Sequence, residues 1–163
     1  MTMGLDIRYL AGFIDGEGSI GARWVRPSKA SKTHLPFVFV PYLQIGHTDA
    51  VILRDIRQRW GGTVVLARPS TMKWKAGYFW RVSSRKVEIP LRELVPFLRL
   101  KKQQAELVLE ALDILSERQI HRPRRGYKFY SVPYPIRMQE IWETLRCLNK
   151  RGPVDRETKL CAF

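Results

Sequence analysis

Long apolar runs, paired cysteines and acidic residues are all scarce in this sequence. No run of about eighteen apolar residues occurs, and Met1-Thr2-Met3-Gly4-Leu5-Asp6 has no basic segment leading into an apolar one. Neither a membrane span nor a signal peptide is indicated, and the protein is expected to be intracellular, without a membrane partner. The two cysteines, Cys147 and Cys161, lie late in the chain with no CxxC or Cys/His spacing. That argues against a zinc site and a disulfide framework, and both read as free thiols without a role. The 15 Asp and Glu are outnumbered by 29 Lys and Arg, a net charge of +14 spread along the chain. An excess of this size repels itself and is offset by an anionic partner, nucleic acid first. Composition leaves a ribosomal or membrane-surface protein open.

At 163 residues the chain can bury one good core, so residues 1–150 are expected to form a single domain, with 151–163 a polar tail. Residues 5–15 carry apolar groups nearly all round a helix, which predicts burial on more than one side. Gly16, Gly18 and Gly21 punctuate its end, and Ile20–Val25 continues as a strand. A polar loop near Pro27–Pro36 leads to a second strand over Phe37–Ile45, in which Pro41 implies a bulge or an edge. Thr48–Trp60 has helical spacing closed by Gly61-Gly62, and a second hairpin follows over Thr63–Arg68 and Gly77–Ser83. A short proline-interrupted helix over Val87–Leu98, an amphipathic helix over Lys101–Glu117, a basic aromatic connection over 121–135 and a last helix near Ile136–Asn149 complete the chain. Tryptophans 24, 60, 80 and 142 read as core.

The order α-β-β-α-β-β-α with further C-terminal helices predicts an α+β fold: an antiparallel sheet with helices on one face and the other face free. Alternation places Lys75, Phe79 and Arg81 opposite Tyr78, Trp80 and Val82 in the fourth strand, and Arg23 opposite Ala22 and Trp24 in the first. In the third strand it sets Arg68 with Val64 and Leu66, against Val65 and Ala67. An open, basic, twisted sheet fits a DNA major groove, and Arg23, Gln44, Arg68, Lys75 and Arg81 are its candidate contacts. The Arg122–Tyr130 stretch is either a phosphate-contacting element or a basic loop.

The segment Leu10-Ala11-Gly12-Phe13-Ile14-Asp15-Gly16-Glu17-Gly18 ends a buried helix with two carboxylates. A helix C-terminus carries partial negative charge and prefers cations, so something positive must stand near. A lysine could serve, and an Asp-Gly-Glu turn also exposes carbonyl oxygens of the kind that suit Mg2+ or Ca2+. Ala11 and Gly12 are small enough to let a partner helix approach closely.

This nine-residue segment resembles the motif that names the LAGLIDADG homing endonucleases. Val95-Pro96-Phe97-Leu98-Arg99-Leu100-Lys101-Lys102-Gln103-Gln104-Ala105 is similar to the family segment that follows the second hairpin. The resemblance spans roughly residues 5–120 and implies an αββαββα fold with a saddle-shaped sheet. It further implies a homodimer, since only one motif copy is present, with Leu10, Ala11, Gly12, Phe13 and Asp15 at the interface of two motif helices. Glu17 matches the family's metal ligand, with the Gly16 carbonyl assisting, although Glu replaces the commoner Asp. Asp15 matches a residue supporting the helix end, His47 a water-positioning group, and Lys101 a cation that stabilises charge on the phosphate. A basic residue shortly after the His47 position has no counterpart, because Asp49-Ala50 stands there. The implied activity is Mg2+-dependent hydrolysis of a long near-palindromic double-stranded DNA site in intron homing, with Ca2+ or Mn2+ able to substitute. An RNA maturase or a non-cleaving DNA-binding regulator on the same scaffold stays open.

Overall fold

A computed structural model of the chain describes residues 5–27, 36–120 and 134–150. The basic connection at 121–133, most of the polar loop after Pro27 and the tail from Arg151 lie outside the described residues. Helix α1 (Ile7–Glu17) starts at Asp6, whose side chain accepts a hydrogen bond from the Arg8 N–H at 2.7 Å. It ends abruptly at Gly18, whose N–H bonds back to the Ile14 carbonyl. A Cβ at position 18 would sit 2.6 Å from that carbonyl oxygen, so only glycine allows the helix to pass directly into β1 (Gly18–Val25).

Strand β2 (Val38–His47), helix α2 (Ala50–Trp60), β3 (Thr63–Arg68) and β4 (Gly77–Ser83) follow, and the four strands form one antiparallel sheet in the order β1-β2-β4-β3. A 3-10 turn (Ser84–Val87) leads into α3 (Glu88–Leu94), then α4 (Lys102–Ile120) and α5 (Ile136–Leu148). The turn between α2 and β3 needs its glycines: Gly61 and Gly62 have φ of 71° and 84°, and a Cβ on Gly62 would lie 2.6 Å from the Arg81 carbonyl oxygen.

One sheet face is apolar and covered. Ile20, Phe39, Leu43, Ile45, Trp80 and Val82 alternate inward along their strands and join Leu10 and Ile14 of α1, Leu53 and Ile56 of α2, Leu91 and Leu94 of α3, and Val108 and Leu112 of α4 in one buried core. Trp60 and Trp80 are buried there, and Trp24 and Trp142 pack against it half-buried, as expected. Trp74 is exposed.

Three strand-level expectations meet a different outcome or a more local one. Pro41 sits without a bulge opposite Ala22 in an interior strand, and the reason is local: β2 pairs with β4 only from Tyr42 onward, so at Pro41 its other side has no partner strand. Simple alternation sets Arg68 with Val64 and Leu66, on the face of the sheet shared by Trp80 and Tyr78. The β3–β4 register slips between Leu66 and Arg68, which brings Arg68 opposite Gly77 and so onto the face of Phe79 and Arg81. Lys75 is not part of β4; it lies in the connection before Gly77, where its carbonyl accepts from Arg68.

Candidate nucleic-acid interface and active centre

Glu17, the last residue of α1, is held exposed at one end of the sheet because Gly18 already belongs to β1. The positive group required beside this helix end is Lys101. Its Nζ donates to the Asp15 carbonyl, and it feels the negative charge of both Asp15 and Glu17. Burial pushes the Lys101 pKa down, while Asp15 and Glu17 pull it back up. Asp15 closes the clasp from the other side: its carboxylate accepts the Arg99 N–H at 2.8 Å and the Lys101 N–H at 3.0 Å. Both donors lie in the bend just before α4, so Asp15 anchors the entry to that helix while Lys101, immediately ahead of it, caps the end of α1.

His47 ends β2. Its Nδ1 accepts the Asp49 N–H at 3.0 Å, and the Asp49 carboxylate accepts the Val51 N–H at 2.7 Å to cap α2. Asp49 thus has a structural reason to stand where a basic residue was looked for. With Nδ1 occupied as an acceptor, the neutral imidazole carries its proton on Nε2 and can only donate outward. The ring packs edge-on against Phe13, 5.4 Å between centroids. Glu17, His47 and Arg68 line one open cleft of about 400 Å³, together with Thr48, Ala67 and Tyr78, which sequence reasoning did not single out. Tyr78 is the direct cross-strand partner of His47, but β2 and β4 are joined through α2 and β3, so the pairing comes from the fold and not from a hairpin in the sequence.

The uncovered sheet face carries Arg23, which stacks over the Tyr42 ring at 5.8 Å, and Arg81, which lies over Phe79 at 5.1 Å. Arg81 and Gln44 are direct cross-strand partners, and Arg81 donates from Nε to Gln44 Oε1 at 2.7 Å and from Nη2 to the same oxygen. Arg68 lies over the Trp74 ring at 5.3 Å. Among the described residues, every ion pair belongs to helices: Arg59–Glu93, Arg92 with Glu88 and Asp113, Lys102–Glu106, and Arg137 with Glu110 and Glu140. Arg23, Arg68, Lys75 and Arg81 have no carboxylate partner among those residues. The acids neutralise the helical side and leave the sheet side positive.

The outward face of α1 differs from the expected interface set. Leu10 and Ala11 are buried in the chain's own core, and the Asp15 carboxylate is engaged inside the chain. Turned outward are Gly12, Gly16 and the exposed Tyr9, with Phe13 half-buried and stacked on Tyr9 at 6.2 Å. A Cβ at Gly12 or Gly16 would meet nothing within 4 Å. The 9-12-13-16 spacing of one helical face was available in the sequence and marks these four rather than the consecutive run.

No group of three or more His, Cys, Asp or Glu among the described residues could hold a metal ion. Among the described residues, Glu17 is the exposed carboxylate at the end of α1, beside the Gly16 carbonyl. These hard oxygen donors fit a Mg2+- or Ca2+-type cation in kind but not in number. No helix among the described residues is long and apolar enough to cross a membrane.

An Asp-Gly-Glu-Gly helix end feeding a four-stranded antiparallel sheet, with helices on one face and a bare basic surface on the other, is the LAGLIDADG homing endonuclease fold. Solved structures with this fold include I-CvuI in complex with the I-CreI target in the presence of Mg, at TM-score 0.63 and 22% identity over 95% of this chain and 90% of that one. The archaeal intron-encoded homing endonuclease I-Vdi141I, complexed with DNA, is similar at TM-score 0.60 and 16% identity over 95% and 91% of the two chains. I-SmaMI, a LAGLIDADG homing endonuclease bound to cleaved DNA, gives TM-score 0.55 and 18% identity over 96% of this chain but 47% of its own. No protein-family model and no curated protein matches the chain.

Proposed function

We propose that this protein is a site-specific homing endonuclease that works as a homodimer, binds a long near-palindromic duplex along two copies of the sheet, and hydrolyses a phosphodiester on each strand with a divalent cation. The observation that carries the reading is Glu17, which shares a cleft with His47 and lies within the electrostatic reach of Lys101, at one end of a basic sheet without carboxylate partners among the described residues. Neighbours of the same fold solved on DNA, with Mg or Ca present, support it.

Glu17 and the Gly16 carbonyl are the oxygens that would hold the cation, Mg2+ first, with Ca2+ or Mn2+ as substitutes. When bound, such an ion stabilises charge on phosphoryl oxygens and makes a nucleophile of water. Lys101, fixed by Asp15, offers the phosphate a second positive charge, and His47 donates from Nε2 to a water or phosphate oxygen. A single exposed carboxylate at this helix end, with no cluster of three or more metal-ligating side chains among the described residues, supports a centre completed by a second copy. The two outward glycines of α1 support the same arrangement: mid-helix glycine is roughly 1 kcal/mol worse than alanine, and nothing inside the chain requires Gly12. I-SmaMI, about half of which this chain spans, has room for two such units.

Glu17→Gln tests the reading. The variant is expected to lose cutting in Mg2+ and keep duplex binding in Ca2+; full activity would remove Glu17 from the chemistry. Binding without cutting by the wild-type chain would favour a maturase or a DNA-binding regulator.

A further inference from the structure

The pairing of Arg81 with Gln44 fixes what that point of the sheet can recognise. A guanidinium has two edges able to make paired hydrogen bonds, Nε–Nη2 and Nη1–Nη2. Gln44 Oε1 takes Nε and one N–H of Nη2, which leaves the Nη1–Nη2 fork free. Arginine only donates, so the oxygen of Gln44 must face it and the amide nitrogen must face away. With both lone pairs of that oxygen engaged, Gln44 cannot accept from adenine N6, and the paired contact that glutamine makes with adenine is blocked. The two side chains together present hydrogen-bond donors and no acceptor. In the major groove the base edge with two adjacent acceptors is guanine, at O6 and N7.

Placement favours a base over a phosphate. Arg81 and Gln44 stand opposite each other on the two inner strands, β4 and β2, with Ser19 of β1 and Thr63 of β3 completing the row at its margins. Phosphates run along the rims of a groove, and bases lie over its floor. Phe79 backs the guanidinium and no carboxylate neutralises it among the described residues, so Arg81 is held in one orientation with its charge available. Ser19 is two residues from Glu17, about 7 Å along a strand, so the contacted base pair lies within a few base pairs of the cut.

Building on the endonuclease reading, we infer that Arg81 specifies a guanine near the cleavage position in each half-site, and that Gln44 is the positioning residue that aims it. Selection of bound duplexes from a randomised library in Ca2+ is expected to return one near-invariant guanine per half-site close to the centre. Replacing it by 7-deazaguanine, which lacks N7, should weaken binding of the unaltered protein. Arg81→Ala should weaken binding by roughly 5- to 150-fold on the guanine site and abolish the preference there alone. Gln44→Ala should relax the same position while leaving the dependence on salt unchanged. A selected site without that guanine, or a guanine preference that survives Arg81→Ala, overturns the inference and leaves the endonuclease reading intact. A salt slope that falls by about one in Arg81→Ala, with base preferences unmoved, makes Arg81 a phosphate contact instead and equally overturns it. Failure to bind any duplex overturns both.

Discussion

Lys101 joins the two halves of the candidate centre. It is separated by 86 residues from the carbonyl its ammonium grips. Local sequence could say that a cation was needed at the end of α1 and that the Lys101 segment resembles a family element. It could not say that the two meet, because that contact is made by folding and not by spacing. Burial lowers the Lys101 pKa, so its charge is lost at a lower pH than a free lysine's. The alkaline limb of the pH–rate profile is therefore expected to fall early, and Lys101→Arg should push that limb upward or remove it. A limb unchanged in Lys101→Arg would detach it from this residue. Linkage has the opposite sign for folding: between the lowered pKa and the unfolded value of 10.5 the unfolded chain binds more protons, so stability rises with pH across that window.

At the scale of elements, the hairpins and helices were largely legible because α2 keeps a helical spacing and the strands are rich in β-branched and aromatic residues bounded by glycine and proline. Two features escaped for physical reasons. The slip between Leu66 and Arg68 depends on pairing with β4 and leaves no mark in alternation, so Arg68 was assigned the wrong parity for its expected role. The division of α1 into core and outward faces is blurred by apolar side chains on both, and only the small residues Gly12 and Gly16 within the 9-12-13-16 spacing mark the outward one. The glycines of α1 separate these duties. Gly18→Ala should destabilise the fold by at least about 1 kcal/mol in a denaturant titration, because a Cβ would meet the Ile14 carbonyl oxygen at 2.6 Å. Gly12→Gln should leave helix content intact and abolish self-association in sedimentation; a dimer that persists would move the interface off this face. Asp15→Asn keeps the shape but replaces one of the two accepting oxygens with an NH2 that can only donate, so one of the bonds to the Arg99 and Lys101 N–H groups is lost, roughly 1 kcal/mol that chemical denaturation can read.

Across the whole molecule the +14 charge is segregated rather than merely large. Composition named the anionic partner; only the arrangement of ion pairs shows which face is left for it. Binding should accordingly weaken steeply with salt, with a log–log slope of roughly −0.9 per neutralised phosphate, and Arg23→Ala should reduce that slope by about one without altering base preference. A slope near zero would mean that the sheet is not the contact surface.

The most direct measurement is to incubate the purified protein with a randomised duplex library in Mg2+ and sequence the ends produced, with Glu17→Gln in parallel. Paired breaks at one long near-palindromic site, absent in the variant, are the expected result. Binding without breaks under every divalent cation, or breaks that persist in Glu17→Gln, would contradict a two-chain centre built on Glu17.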